Sequence, residues 1–381
     1  MHVPFLDLSR STRELRTEID DGVARVLDRG WFVLGEEGAA FEREFAGALG
    51  ANHAVGVASG TDAIELALRA LDVGPGDEVI TQANTCIPTI SAIERTGARA
   101  VLCDVEPEGA TMSPGSLERA VTDATRAIVP VHLYGQCADM DALMTIAAER
   151  AIPVVEDCAQ SHLATYRGRV AGTIGVLGAF SFYPTKNLGA AGDGGAVVTS
   201  DDALADRLRL LRQYGQSGRY EHVQRGVNSR LDEVQAAILR VKLPRLHAGN
   251  TRRNEIAAIY DAALEDTALR PLARFPARSH AFHLYVIRAP DRDRVQRDLA
   301  ERGVGTLIHY PRPVHAHPGY KDLGQAGVDL SNSERVAREV LSVPMFPELT
   351  DDEVTHVAEA LRAVGGADAS LAGPGLPPPV S

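Results

Sequence analysis

The chain has 381 residues, 45% of them apolar and 24% charged, which is the balance of a globular protein long enough for one large and one smaller domain. Its net charge of -12 and the lack of a basic stripe exclude a nucleic-acid binder, and no apolar run reaches membrane-spanning length. The four cysteines (Cys86, Cys103, Cys137, Cys158) form no C-x-x-C pair and no signal-peptide pattern opens the chain, so a cytoplasmic protein with reduced thiols and no metal site is expected.

Residues 12–29 have the spacing of an amphipathic helix with Leu15, Ile19, Val23 and Val26-Leu27 on one face, and 37–49 form a second helix. Beyond residue 53, strand and helix alternate. The strands are predicted at Ala54–Ala58, Glu78–Thr81, Ala100–Asp104, Ala127–His132 and Pro153–Glu156, followed by 178–183 and 195–199. Thr61–Leu71, Pro88–Arg95 and Met140–Arg150 are the helices between them. This alternation, with continuously apolar strands, implies an α/β architecture with a mostly parallel sheet covered on both faces. Two helical segments, Leu231–Leu246 and Thr251–Leu264, lead to a second strand–helix region made of His283–Ala289, Arg292–Arg302, Val304–Ile308, Ser333–Leu341 and Thr350–Ala363. The expected division is a large domain over 1–245, a smaller α/β domain over 246–365, and a disordered tail over 366–381 rich in Gly, Pro, Ala and Ser.

The chemistry centres on Phe180-Ser-Phe-Tyr-Pro-Thr-Lys186-Asn-Leu-Gly189, which a glycine- and alanine-rich run joins to the strand at 195–199. Pro184 stops the first strand, because it cannot donate to a ladder. A lysine on a tight loop between two apolar strands is poorly housed as a surface charge. Partial desolvation there would lower its pKa and suit it to Schiff-base chemistry with pyridoxal phosphate (PLP). A solvated loop lysine is the plainer alternative, so the reading requires partners elsewhere in the chain.

Asp157 closes the apolar strand that begins at Pro153, in the place where open α/β sheets bind ligands, and could hold the pyridine nitrogen protonated. It could equally be a helix cap. Ser59-Gly60-Thr61-Asp62 sits at a strand-to-helix turn, where free N–H groups and the positive helix end suit a phosphate, although plain N-capping would use the same residues. Ser181 could add a hydroxyl, and Gln160 and His162 lie close to Asp157 in sequence. Neither a Walker loop nor a dinucleotide fingerprint is present, which removes the nucleotide triphosphate and NAD readings.

These pieces, in this order, resemble the DegT/DnrJ/EryC1/StrS sugar aminotransferases, which have the aspartate-aminotransferase fold (fold type I). The resemblance rests on Val57-Ala-Ser-Gly-Thr-Asp-Ala63, Val131-His-Leu-Tyr-Gly135, Glu156-Asp-Cys-Ala-Gln160, Ser181-Phe-Tyr-Pro-Thr-Lys-Asn-Leu-Gly189, Gly226-Val-Asn-Ser-Arg-Leu-Asp-Glu233 and His309-Tyr-Pro-Arg-Pro-Val-His315. It implies that Lys186 is the cofactor lysine and Asp157 the partner of the ring nitrogen. Gln160 would bond the ring oxygen, and Gly60, Thr61 and Ser181 would hold the phosphate. By the same resemblance Asn228 would reach the phosphate of a neighbouring subunit in a homodimer, with His162, His309 and Tyr310 near the sugar. The implied reaction moves an amino group from L-glutamate to a keto group, at C3 by preference, of a dTDP- or other nucleoside-diphosphate-linked deoxysugar. A 4-keto sugar or a keto-inositol is the alternative acceptor, and a sugar dehydratase or an idle PLP-binding sensor is a more distant one. Two positions depart from the family pattern: Cys86 stands where an aromatic residue often stacks on the ring, and Leu163 where a glycine is frequent.

Overall fold

The computed structural model describes residues 1–325 and 327–366, so the expected tail lies outside the described residues apart from Gly366. The large sheet is built from β1 (His53–Val57), β2 (Glu78–Gln82), β3 (Arg99–Cys103), β4 (Thr125–Val129), β5 (Val155–Asp157), β6 (Leu177–Ser181) and β7 (Gly195–Thr199). β3, β2 and β4 pair in parallel, and parallel bridges Ile128–Val154 and Val131–Asp157 join β4 to β5. β5 pairs with β6 in parallel, whereas β7 runs antiparallel to both β6 and β1. The spatial order is therefore β3-β2-β4-β5-β6-β7-β1, with β7 the one reversed strand. This is the mostly parallel mixed sheet that the alternation implies.

Side-chain alternation along the strands feeds two cores, one on each face. On β6, Phe180 faces a core with Phe41, Phe45 and Phe182, while Leu177 and Ala179 face Leu66, Ile90 and Val129. A third core lies in the C-terminal region around an antiparallel sheet of β8 (Arg270–Pro271), β9 (Tyr285–Arg288) and β10 (Val340–Val343). Val3 belongs to this core: its N–H donates to Gly303 and its carbonyl accepts from Gly305. No helix among the described residues is long and apolar enough to cross a membrane, and all four cysteines are free.

Four expected elements come out differently. The first helix is divided at Leu15 into Leu8–Glu14 and Arg16–Arg29, and Leu27 is 58% exposed because Ile19, Gly22 and Val26 form the packed stripe. The segment Val304–Ile308 forms no strand and makes single bridges from Val304 to Val3 and from Leu307 to Ser342. β10 occupies the end of the stretch expected as helix Ser333–Leu341, whose helix stops at Glu339. The run Leu231–Leu246 becomes helix Glu233–Lys242 and a tight turn at Leu243-Pro244-Arg245, since Pro244 has no N–H to continue the ladder.

The loops after β4 and β5 are fixed by a buried ion. Glu156, 0% exposed, faces His132 Nε2 at 2.8 Å and accepts the N–H groups of Gly172 at 2.9 Å, Ile174 at 2.7 Å and Gly175 at 2.7 Å. The Ala138 N–H donates to His132 Nδ1, so Nε2 carries the proton and donates to Glu156. Burial pushes this carboxyl up, yet His132 and the backbone donors outweigh it and hold Glu156 below the usual carboxylate range. Cys158 lies within 4.8 Å of both groups, but their polar atoms are already directed at protein partners, which marks a structural network and not a metal site. Glu156→Ala should lower the unfolding free energy by about 3–5 kcal/mol in urea titration, because the donors stay buried. A loss below about 1 kcal/mol would show that the network is dispensable. The contribution of Glu156 is present above its unfolded value of 4.5 and fades as pH falls through its lower folded value.

Candidate active site

The parallel strands deliver the expected residues to one edge of the sheet. Ser59-Gly60 follows β1, Cys86 follows β2, Asp157 ends β5 and Ser181 ends β6, while Gly195 opens the reversed β7. The lysine loop leaves this edge as a closed excursion. Phe182 N–H donates to Gly194, Ala190 N–H returns to Phe182, and Lys186 N–H caps Tyr183. A Cβ at Gly189 would lie 2.4 Å from the Pro184 carbonyl, so the turn requires glycine there.

Among the described residues, Lys186 has no carboxylate within ion-pair reach. The residue is half-buried by area but its amine is enclosed by protein. Burial lowers its pKa and nearby Asp157 offsets only part of this. Asp157 is 3% exposed and accepts Thr89 Oγ1 at 2.9 Å and Ala159 N–H at 3.1 Å. Burial raises its pKa, and no cation among the described residues pairs with it directly. A carboxylate this dry and partly satisfied suits a protonated ring nitrogen as its missing partner.

The phosphate cup is equally legible. Ser59 Oγ caps the helix Gly60–Ala70 by accepting Asp62 N–H at 3.1 Å, and the Gly60 and Thr61 amides bond nothing among the described residues. A Cβ on Gly60 would stand 2.5 Å from Ser181 Cβ, and one on Gly195 would stand 2.3 Å from the Ser59 carbonyl. Free amides, a helix end, a hydroxyl and two glycines that keep backbone close therefore meet at one point. Taken with Lys186 and Asp157, these residues fit PLP.

Gln160 is held by Tyr134 N–H, which donates to Oε1 at 2.7 Å, and by its own Nε2 donating to Tyr310 Oη at 3.1 Å. Tyr134 reaches this position with φ +62, a left-handed conformation. Burial, then the adjacent Cys86, keeps the Tyr310 phenol well above its usual range. Tyr310 thus brings an aromatic ring from the C-terminal region beside Cys86. His309 stacks on Phe5 at 5.6 Å, and its Nδ1 lies 2.9 Å from Ser342 Oγ. Asn228 is exposed and bridges to Gln213.

His162 departs from expectation as a sugar contact. Its ring is 0% exposed and packs on Phe180 and Phe182 with both nitrogens unpartnered among the described residues, so it offers no open surface to a substrate. Leu163 sits at φ +60, which explains why glycine is favoured at that position. The motifs did not reveal Thr89, Asn187, Asn250 or His283. Asn187 Nδ2 donates to Asn250 Oδ1 at 2.9 Å and to the Ala281 carbonyl at 2.8 Å, and Oδ1 faces His283 Nδ1 at 3.2 Å. This asparagine ties the lysine loop to the C-terminal region. Its position directly after Lys186 was the one available signal.

Three imidazoles surround Lys186 and all stay neutral. Burial, then the charge of Lys186, lowers His162 to about 3 and His309 to about 4, and carries His283 well below 6.5. The unfolded chain takes up these protons near 6.5 and the folded chain resists them, so stability falls as pH drops from 6.5 toward 4. The ceiling is about 1.4 kcal/mol per pH unit for each such histidine. Urea titrations across this window should show that slope, and His162→Phe should flatten it. An unchanged slope would mean that His162 is not held neutral by folding.

Comparison with known proteins agrees with this geometry. Residues 13–362 match the model of the DegT/DnrJ/EryC1/StrS aminotransferase family. The chain is 50% identical over 366 residues to the erythromycin biosynthesis sensory transduction protein EryC1 of Saccharopolyspora erythraea, covering 95% of this chain and 100% of that protein. It is 47% identical over 363 residues to a dTDP-3-amino-3,4,6-trideoxy-alpha-D-glucose transaminase of Streptomyces venezuelae, covering 94% of this chain and 95% of the relative. The crystal structure of S. venezuelae DesV in complex with a ketimine intermediate superposes with a TM-score of 0.94 at 46% identity, over 96% of this chain and 100% of that one. The chain therefore belongs to the DegT/DnrJ/EryC1/StrS aminotransferase family, whose members are PLP-dependent sugar aminotransferases.

Proposed function

We propose that the protein transfers an amino group from L-glutamate to the C3 keto group of a nucleoside-diphosphate-linked deoxysugar. The observation that carries the chemistry is the unpaired, enclosed amine of Lys186 beside the dry carboxylate of Asp157. The C3 position is supported by the 47% identical relative, which is a 3-amino-sugar transaminase. The transaminase name of that relative and the intact Lys186–Asp157 pair favour catalysis over a purely sensory role.

When bound, PLP supplies an electron sink for the carbon that loses its proton. Gly60 and Thr61 amides and Ser181 Oγ would hold its phosphate, with Asn228 reaching across from a second subunit of a homodimer. Asp157 would keep the ring nitrogen protonated, and the second Nε2 proton of Gln160 would point at the ring oxygen. Cys86 and Tyr310 would line the ring face. Lys186 Nζ, its pKa lowered by burial, takes the proton from the α-carbon of the amino donor and returns it on the other side of the reaction. His309 and Tyr310 would face the sugar, while His162 would support the lysine from below as a positioning residue. The working division is a large domain over 1–245 and a smaller one over 246–365, in a cytoplasmic enzyme.

A half-reaction screen tests the assignment. L-glutamate should bleach the cofactor absorbance of the purified protein, and a 3-keto nucleotide sugar should restore it better than a 4-keto sugar or a keto-inositol. A better response to either alternative would move the substrate assignment. Lys186→Ala should lower turnover by at least about 10²–10⁴-fold, while retaining pyridoxamine phosphate in equilibrium dialysis. Substantial amination by that variant would remove Lys186 from its role.

A further inference from the structure

Arg253 is the one arginine among the described residues in the buried class, at 5% exposure. Nη1 donates to the carbonyls of Phe282 at 2.9 Å and Met345 at 2.6 Å, and no carboxylate stands within ion-pair distance among the described residues. Its Nε and Nη2 bond nothing in the described chain. Burial alone carries this guanidinium down to about 10. A buried arginine is ordinarily paired, because an uncompensated charge costs several kcal/mol.

The missing partner has a place. Arg253 lies in the wall of a cavity of about 660 Å³ that also has Lys186 and Asn187 in its wall. Lys242 lines the same cavity, its Nζ bonded to the Gly189 carbonyl at 2.7 Å and to no carboxylate among the described residues. Asn187, next to Lys186 in the same wall, faces His283 Nδ1 at 3.2 Å through its Oδ1, so the wall that holds Arg253 continues into the lysine loop. The acidic groups in the wall do not neutralise these two cations. Glu348 feels both but touches neither, and burial pushes its carboxyl up, while Asp7 is engaged by Ser9 and Arg10. Glu14 is the remaining carboxylate of the wall.

We infer that Arg253 and Lys242 form a carboxylate subsite for the amino donor, so that the cavity on this side of Lys186 receives a dicarboxylic amino acid or its 2-oxo acid. The inference rests on the aminotransferase reading and adds the residues that select the donor. Two separate cations match the two carboxylates of such a ligand, and charge-assisted hydrogen bonds would recover the cost of burying them. The lysine loop forms part of this wall through Pro184–Asn187. Donor binding and the position of the reactive amine are thereby joined.

The test uses glutarate, an unreactive dicarboxylate, and the cofactor-loaded protein. Calorimetry should show binding to the wild type, weakened about 10- to 100-fold in Arg253→Met and in Lys242→Met, the loss expected for a hydrogen bond to a charged group. Arg253→Lys should recover part of it. The glutamate concentration for half-maximal bleaching should rise in parallel, with no change in the sugar concentration that restores absorbance. If Arg253→Met does not fold, Lys242→Met decides the question, since its amine bonds a single carbonyl. Glutarate that fails to bind the wild type, or that binds all variants alike, overturns the subsite. A wild type that binds glutarate but is not bleached by glutamate instead overturns the aminotransferase reading and leaves the subsite standing.

Discussion

Burial without pairing organises this molecule. Lys186 and Asp157 carry opposite charges in one dry pocket, yet neither is in ion-pair contact with the other. A direct salt bridge would relax both groups and use up both functions. Keeping them apart leaves a nucleophilic amine and an acceptor for a protonated ring, at a cost that the rest of the fold must cover. The covering structure is visible: strands apolar on both faces, a saturated Glu156 network behind Asp157, and three neutral imidazoles around the amine.

The sheet edge does the positioning. Parallel strands place the ends of β1, β2, β5 and β6 along one edge of the sheet, so four short motifs far apart in the chain converge without any long excursion. The reversed β7 returns the chain beside β1 and brings Gly195 against Ser59. One antiparallel strand thus lets the lysine loop be short and the phosphate cup be tight. Asn187 extends the arrangement by fixing the residue after Lys186 to Asn250 and Ala281, so the loop is tied to elements beyond the sheet.

Much of this was legible in the sequence because it rests on local pattern. Strand–helix alternation, Pro184, the glycine-rich return and the small residues at 59–61 each follow from chemistry that acts within a few residues. The misses have a different cause. Thr89 and His283 matter because of what they meet in space, with Asp157 far along the chain from Thr89 and Asn187 far from His283. His162 read as a ligand because polarity is visible in sequence and enclosure is not. Val340 and Leu341 read as the end of a helix because strand pairing with Tyr285–Arg288, a non-local contact, overrides local preference.

Val3 has a consequence for how the polypeptide assembles. Its N–H and carbonyl bond to Gly303 and Gly305, so the opening segment finds its partners only after most of the chain has been made. On a ribosome the first residues must wait, unpaired, while the sheet of the large region folds behind them. Closure of the C-terminal core is then a late step, and it comes with the docking of the opening segment.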